Sequence, residues 1–312
     1  MFPSVAAAAK TDAASPRDWD YIIVTTKALP DRSDDSALIA PLVGPRSCIV
    51  LIQNGVGVEQ PYRTRFPATP IISAVTVISA EQTSPGTVRQ NRWTRIHLGP
   101  YSDSASFDTT PSSASHAYPR GDDTTGAPHP TPDDTTTTPS PSTLQQTGAH
   151  FSALLADWWT RLGGIRDVDA TDEVALQTVR WHKLCINAAF NPSAVLSGGR
   201  GNADMVRDPE LRVHLAGVMR EIWEAAPRIL GRGFPSYMAG PEKILKSSER
   251  NVGSKPSMLL DWEGGRPMEV EVILGNPVRI ARARGVEMPR LQTVYALVRS
   301  MQEVRERKEA KL

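Results

Sequence analysis

Two short apolar runs, rich in β-branched residues, lie about 30 residues apart, and this spacing constrains the fold more than any other feature of the chain. They are Tyr21-Ile22-Ile23-Val24-Thr25-Thr26 and Ser47-Cys48-Ile49-Val50-Leu51-Ile52. Continuous apolarity without alternation is the pattern of a parallel strand covered on both faces. The segment between them, Ser33 to Leu42, reads as a helix. Strand, helix, strand at this spacing is a βαβ unit, hence an α/β sheet. Ile71 to Ile78 supplies a third strand.

The chain then changes character. Residues 101–150 are rich in Thr, Ser, Pro, Asp and Gly. They carry too little apolar surface to offset the entropy of ordering, so the expectation is a disordered insertion. Residues 1–16, alanine-rich and without periodicity, read as a disordered leader. From residue 151 the pattern is mostly helical. Phe151 to Leu162 is amphipathic and closed by Gly163-Gly164, and Ile165 to Val168 reads as a last strand. Glu173 to Phe190 reads as a helix ended by Asn191-Pro192. Asp208-Pro209-Glu210 is an N-cap with proline at the first helical position, and Gly231 is a stop. Leu211, Leu215, Val218, Ile222 and Ile229 share one face between them. Two more helices are expected around Glu269 to Arg284 and Leu291 to Lys308. The layout is an α/β domain over residues 17–170, interrupted by the insertion, then a helical domain over 171–312, with a cleft between.

Composition excludes several function classes. The 312 residues carry a formal net charge of +1, and the one charge-dense run, Arg305 to Lys311, mixes signs. No basic face offers counterion release to a nucleic acid or an anionic membrane. No apolar stretch approaches the ~20 residues of a membrane span. The chain's short apolar start does not make a secretory signal, so the location expected is cytoplasmic. The two cysteines, Cys48 and Cys185, sit in apolar runs and read as core. The six histidines are scattered, and no metal site is inferred.

Three constellations carry candidate chemistry. Lys183, Asn187 and Asn191 stand at i, i+4 and i+8, one slanted polar stripe on an otherwise apolar helix. A lysine among apolar neighbours has a charge state open to tuning by desolvation. Two carboxamides beside it can each donate and accept. Together they suit an α-keto acid, although spacing alone favours a solvent-facing stripe. Gln53-Asn54-Gly55 follows the second strand, where ligands sit in open α/β sheets; taken alone it is a plain Asn-Gly turn. Ser257-Met258-Leu259-Leu260-Asp261, followed by Glu269, reads as a capped helix and a surface turn as readily as a site. Gly55-Val56-Gly57 mimics the start of a dinucleotide fingerprint, but Gln60 replaces the third glycine and Pro61 spoils the long helix required. That fingerprint is rejected.

Taken together, the words resemble the ketopantoate reductase (2-dehydropantoate 2-reductase) family, within the 6-phosphogluconate dehydrogenase-like superfamily. They are Tyr21 to Ala28, Leu51 to Gly57, Pro85-Gly86-Thr87-Val88, Trp181-His182-Lys183-Leu184 with Asn187, Asn191-Pro192-Ser193-Ala194, and Ser257 to Asp261 with Glu269. Their order fits from about residue 17 to 305 apart from the insertion. The resemblance implies an α/β fold: an incomplete Rossmann-like dinucleotide-binding domain followed by an all-α C-terminal domain. It implies NADPH as cofactor, a small 2-keto acid as substrate, and a homodimer through the helical domain. Lys183 would be the general acid, with Asn187 and Asn191 on the substrate's polar groups and Ser257 on its carboxylate. Glu269 would position cofactor and lysine, Asn54 would sit near the nicotinamide ribose and substrate, and Lys27 near the cofactor phosphates or ribose.

Relatives begin with a strand, a glycine-rich turn and a helix that hold the pyrophosphate. This chain starts near the family's fourth strand, so a truncated member is expected. Gly201, with Asn202 next to it, and Ser254 stand where relatives carry asparagines. Two alternatives therefore stay open: a member that reduces another keto acid, and a truncated, non-catalytic paralogue.

Overall fold

The computed structural model describes residues 4–9, 19–84, 86–102 and 139–310. Five strands form one sheet in the order β1-β2-β3-β4-β5: Tyr21–Val24, Cys48–Leu51, Ile71–Ser84, Thr87–Tyr101 and Asp167–Ala170. The first three run parallel, β3 and β4 form an antiparallel hairpin, and β5 joins β4 in parallel. Strand β2 is buried at every position, as its unbroken apolar run requires. In β1, Ile22 and Val24 are buried while Ile23 faces solvent.

The helix expected at Ser33–Leu42 is α2, Asp35–Ile39, capped by the Asp34 side chain and continued by a 3-10 turn, Ala40–Leu42. It shares one sheet face with the short α3, Gln60–Arg65, through Ile22, Ile39, Leu51 and Tyr62. The opposite face, Val50, Ile72 and Leu98, is covered by Leu155 of α4, Pro141–Arg161.

Four expectations need correction. Helix α4 begins at Pro141, ten residues before its expected start, and claims residues 141–150 from the expected disordered insertion. Ser140 caps it by accepting from the Thr143 N–H, proline occupies its first position, and Leu144 is buried. Residues 103–138 of that insertion lie outside the described residues. In the expected leader, Val5–Ala9 form a short helix, α1, against the 3-10 turn. Alanine's helix propensity and the Ser4 hydroxyl, which accepts from the Ala7 N–H, account for it. Residues 1–3 and 10–16 are not among those described. Strand β3 outruns its expected end at Ile78, and its hairpin partner β4 was not anticipated as a strand. Lastly, α5 does not stop at Asn191-Pro192. It runs Glu173–Leu196 straight through Pro192. Residues 188–195 are buried against the helical core, and packing outweighs the donor that proline lacks.

The helical half follows: α6 (Asn202–Arg207), α7 (Pro209–Leu230), α8 (Pro241–Ser248), α9 (Ser257–Glu263), α10 (Asn276–Ala283) and α11 (Pro289–Glu309). Asp208 caps α7 and Gly231 ends it in the left-handed conformation, both as expected. Leu215, Val218, Met219 and Ile222 of α7 pack on Leu184, Cys185 and Ala188 of α5 in one apolar cluster. Ahead of α10 the backbone makes a π-helical turn, Glu271–Gly275, an irregularity that often marks functional sites. Cys48 and Cys185 are buried and free. Among the described residues, no helix is long and apolar enough to cross a membrane.

Candidate active site

The carboxyl end of β2 and the first half of β3 meet α5, and there the polar residues gather. The loop after β2 turns sharply at Gly55, which has φ +83°. A Cβ at that position would come within 2.3 Å of the Val272 carbonyl oxygen in the π-helical turn. Only glycine meets both demands, and the Val56 N–H donates to that same carbonyl at 2.9 Å. The first glycine of the rejected fingerprint is thus a backbone contact between the two halves, while Gly57 sits against the Asn276 side chain.

This turn holds Asn54 over α5. Lys183 Nζ donates to Asn54 Oδ1 at 2.9 Å and to the Thr76 carbonyl of β3 at 2.8 Å. Asn54 Nδ2 in turn donates to Glu269 Oε2 at 3.1 Å. The other carboxylate oxygen of Glu269 accepts from the Ala28 N–H at 3.2 Å, which ties the helical half to the end of β1. Lys183 is part-buried, and its pKa is pulled down to about 8. Desolvation is the main cause and the Arg180 charge the second, with Glu269 opposing both.

A small cleft at this point is lined by Gln53, Asn54, Gly55, Val75, Lys183 and Asn187. Asn191 lies one turn further along α5, only 5% exposed, and its Nδ2 has no partner among the described residues. A buried donor without a partner is costly, and such orphans call for a ligand or a water.

Lys27 and Ser257 stand apart from the cleft. Lys27 pairs with Asp261 of α9, whose buried carboxylate also accepts from Arg266 Nε at 3.2 Å. Ser257 is exposed in the first turn of α9, which packs on α5. Asn202 faces Ser254, its backbone N–H donating to the Ser254 carbonyl at 3.0 Å.

The sequence reading missed Arg180 and Glu59. Arg180 is buried one turn before Lys183. Its guanidinium donates to the carbonyls of Gln53 and Gly55, each at 2.9 Å, to Ser73 Oγ at 2.5 Å and to the Ala74 carbonyl at 3.2 Å. Its Nε faces Glu59 Oε1 at 3.4 Å, an ion pair without hydrogen-bond alignment. Glu59 is itself buried and accepts from Ser73 Oγ at 2.5 Å and Gln177 Nε2 at 3.2 Å. An arginine within a helix reads as surface, and its partners lie more than 100 residues away in sequence. Among the described residues no group of three His, Cys, Asp or Glu side chains is placed to hold a metal.

Comparison with known proteins identifies the family of the chain. The family model described as ketopantoate reductase PanE/ApbA matches residues 2–103, and its C-terminal counterpart matches residues 175–302. A 2-dehydropantoate 2-reductase of Caulobacter vibrioides is 32% identical over 93% of this chain and 80% of its own length. An uncharacterised protein of Saccharomyces cerevisiae is 27% identical over 95% of this chain and 77% of its own. The crystal structure of 2-dehydropantoate 2-reductase from Methylococcus capsulatus superposes with a TM-score of 0.69 at 29% identity, covering 96% of this chain and 78% of that one. With its Rossmann-like sheet, its helical second half and these matches along most of its length, the chain belongs to the ketopantoate reductase family.

Proposed function

We propose that this chain reduces a small 2-keto acid with NADPH, with 2-dehydropantoate to pantoate the first candidate. The observation that carries the reading is the Lys183 ammonium, part-buried at a cleft beyond the carboxyl end of β2 and braced by Asn54 and Glu269.

An ammonium has three N–H donors. Two are committed, to Asn54 and to the Thr76 carbonyl. The third is left for a substrate carbonyl oxygen. Reduction of that carbonyl places negative charge on its oxygen, which a fixed cation stabilises and then protonates. A pKa near 8 keeps Lys183 mostly protonated at neutral pH while making it a better acid than an ordinary lysine. Asn187 and the unpartnered Nδ2 of Asn191 supply donors for the acid's remaining oxygens. Ser257, on α9 beside α5, would meet the carboxylate.

The residues present suit the nicotinamide end of a dinucleotide. Asn54 has both a donor and an acceptor at the cleft, and Lys27 supplies a half-exposed cation near the end of β1. Asn54 and Glu269 would hold that end, Lys27 would meet the cofactor's ribose or phosphates, and the cofactor when bound would supply the hydride. The same reading carries a homodimer through the helical half and a cytoplasmic location. Light scattering of the purified chain tests the dimer.

Titrating the 312-residue chain with NADPH, following cofactor fluorescence, is the deciding experiment. Saturable binding and oxidation of NADPH dependent on 2-dehydropantoate are expected. A chain that melts cooperatively yet binds neither NADPH nor NADH, and turns over no 2-keto acid, overturns the proposal. A second reading keeps the chemistry and changes the acid. It is favoured by Asn202, whose backbone and side chain are both engaged with Ser254. Relative kcat/KM across a series of 2-keto acids separates the two.

A further inference from the structure

We propose that Arg180 is a positioning residue for Lys183, a buried clamp that holds both main-chain segments from which the lysine draws its hydrogen-bond partners. The inference rests on the reading of Lys183 as the acid. The two carbonyls that Arg180 grips through one nitrogen belong to Gln53 and Gly55, the residues on either side of Asn54. The other nitrogen grips Ser73 Oγ and the Ala74 carbonyl, just ahead of Thr76 on β3. One planar guanidinium therefore fixes the spacing between the Asn54 loop and β3, and Lys183 bridges that spacing with its two bonds. Arg180 and Lys183 leave the same helix one turn apart, so the acid and its template move as one body.

The choice of residue points the same way. Burying an ion pair is expensive, and well-packed apolar side chains serve stability as well or better. Arg180 and Glu59 are both almost wholly buried where α5 meets the sheet. A fork of five donors in a fixed plane does what a point charge cannot, because it can span carbonyls that face different ways.

The clamp also puts a permanent charge beside the acid. Around Lys183 stand Arg180 on its own helix, Glu269 ahead of the π-helical turn, the Asn54 amide and the Thr76 carbonyl, with Glu59 paired behind Arg180. Arg180 disfavours the ammonium and Glu269 favours it. Removing the Arg180 charge therefore raises the lysine's pKa. Because the acid works in its protonated form, the alkaline limb of kcat moves to higher pH.

Two variants test this. Arg180→Lys keeps the charge and loses the fork. The double variant Glu59→Gln with Arg180→Gln removes both charges, so that neither is left buried alone. Turnover of 2-dehydropantoate with NADPH is followed against pH. In parallel, Lys183 is labelled by acetic anhydride in the folded chain across the same pH range, and the modified peptide is measured by mass spectrometry. The Arg180→Lys chain is expected to lose about 10- to 100-fold in kcat with its alkaline limb in place. The double variant is expected to shift both the limb and the labelling midpoint upward. Turnover within twofold of the parent chain in Arg180→Lys, or an unmoved labelling midpoint in the folded double variant, overturns the proposal. The labelling needs no turnover. A parent chain inactive on every 2-keto acid would sink the functional reading, while the midpoint still decides whether the Arg180 charge acts on Lys183.

Discussion

The helical half and the seam beneath α5 are both buried, but they are held by opposite means. The core of the helical half is a single apolar cluster in which Leu215, Val218, Met219 and Ile222 of α7 meet α5. The seam between α5 and the sheet is polar, with Arg180, Glu59, Gln177 and Ser73 buried and bonded to one another. Apolar contact is non-directional and tolerates exchange of volume for volume. A buried polar network is stable only with its partners correctly placed, and so fixes positions more tightly than it adds stability. One face of α5 thus anchors the helix, and the other aims it.

Substitutions in the two regions should separate into losses of chemistry and losses of stability. The largest effect is expected from Lys183→Ala, a fall in kcat of about 10²- to 10⁴-fold with an unchanged thermal transition. Intact turnover at saturating substrate would remove the lysine from its role. Ile222→Ala opens a cavity in the apolar cluster, where this side chain is fully buried. It should cost about 2–5 kcal/mol in urea unfolding and leave the pH profile of kcat unaltered. A shifted profile would show that the two regions are not separable. Gly55→Ala crosses the boundary, since a Cβ there meets the Val272 carbonyl in a left-handed backbone. A loss of about 1–3 kcal/mol is expected together with reduced turnover, because Asn54 moves with the loop. Stability lost with kcat intact would mean the turn does not aim Asn54. The smallest effect should come from Lys27→Ala, which removes a part-exposed lysine from the buried Asp261 carboxylate but leaves that carboxylate its Arg266 partner. Stability should change by less than about 1 kcal/mol, while the KM for NADPH rises. An unchanged KM would take Lys27 out of the cofactor site.

The same contrast explains what could be read from the residues alone. Strands β1 and β2 announce themselves by continuous apolar runs, and α7 by its cap, its apolar face and Gly231. These are local signals. Pro192 misled because a local rule, proline as a helix terminator, was overruled by packing along residues 188–195. The first half of α4 was hidden by composition, since Thr, Gln, Gly and Ala carry little amphipathic signal. The stripe Lys183, Asn187, Asn191 was visible as spacing, yet its burial was not. Nor could Arg180 be picked out, because its value lies in carbonyls, and carbonyls have no letter in a sequence.

The bond from the Val56 N–H to the Val272 carbonyl joins the two halves through main chain alone. Every residue but proline carries that donor, and every residue carries that acceptor. The fastening itself therefore asks nothing of side-chain chemistry: Val56 and Val272 are buried in the apolar core, where packing limits their replacement, while the joint needs only a donor and an acceptor. The joint as a hydrogen bond is broken from sequence at two places, by a side chain on Gly55 or by a proline at 56.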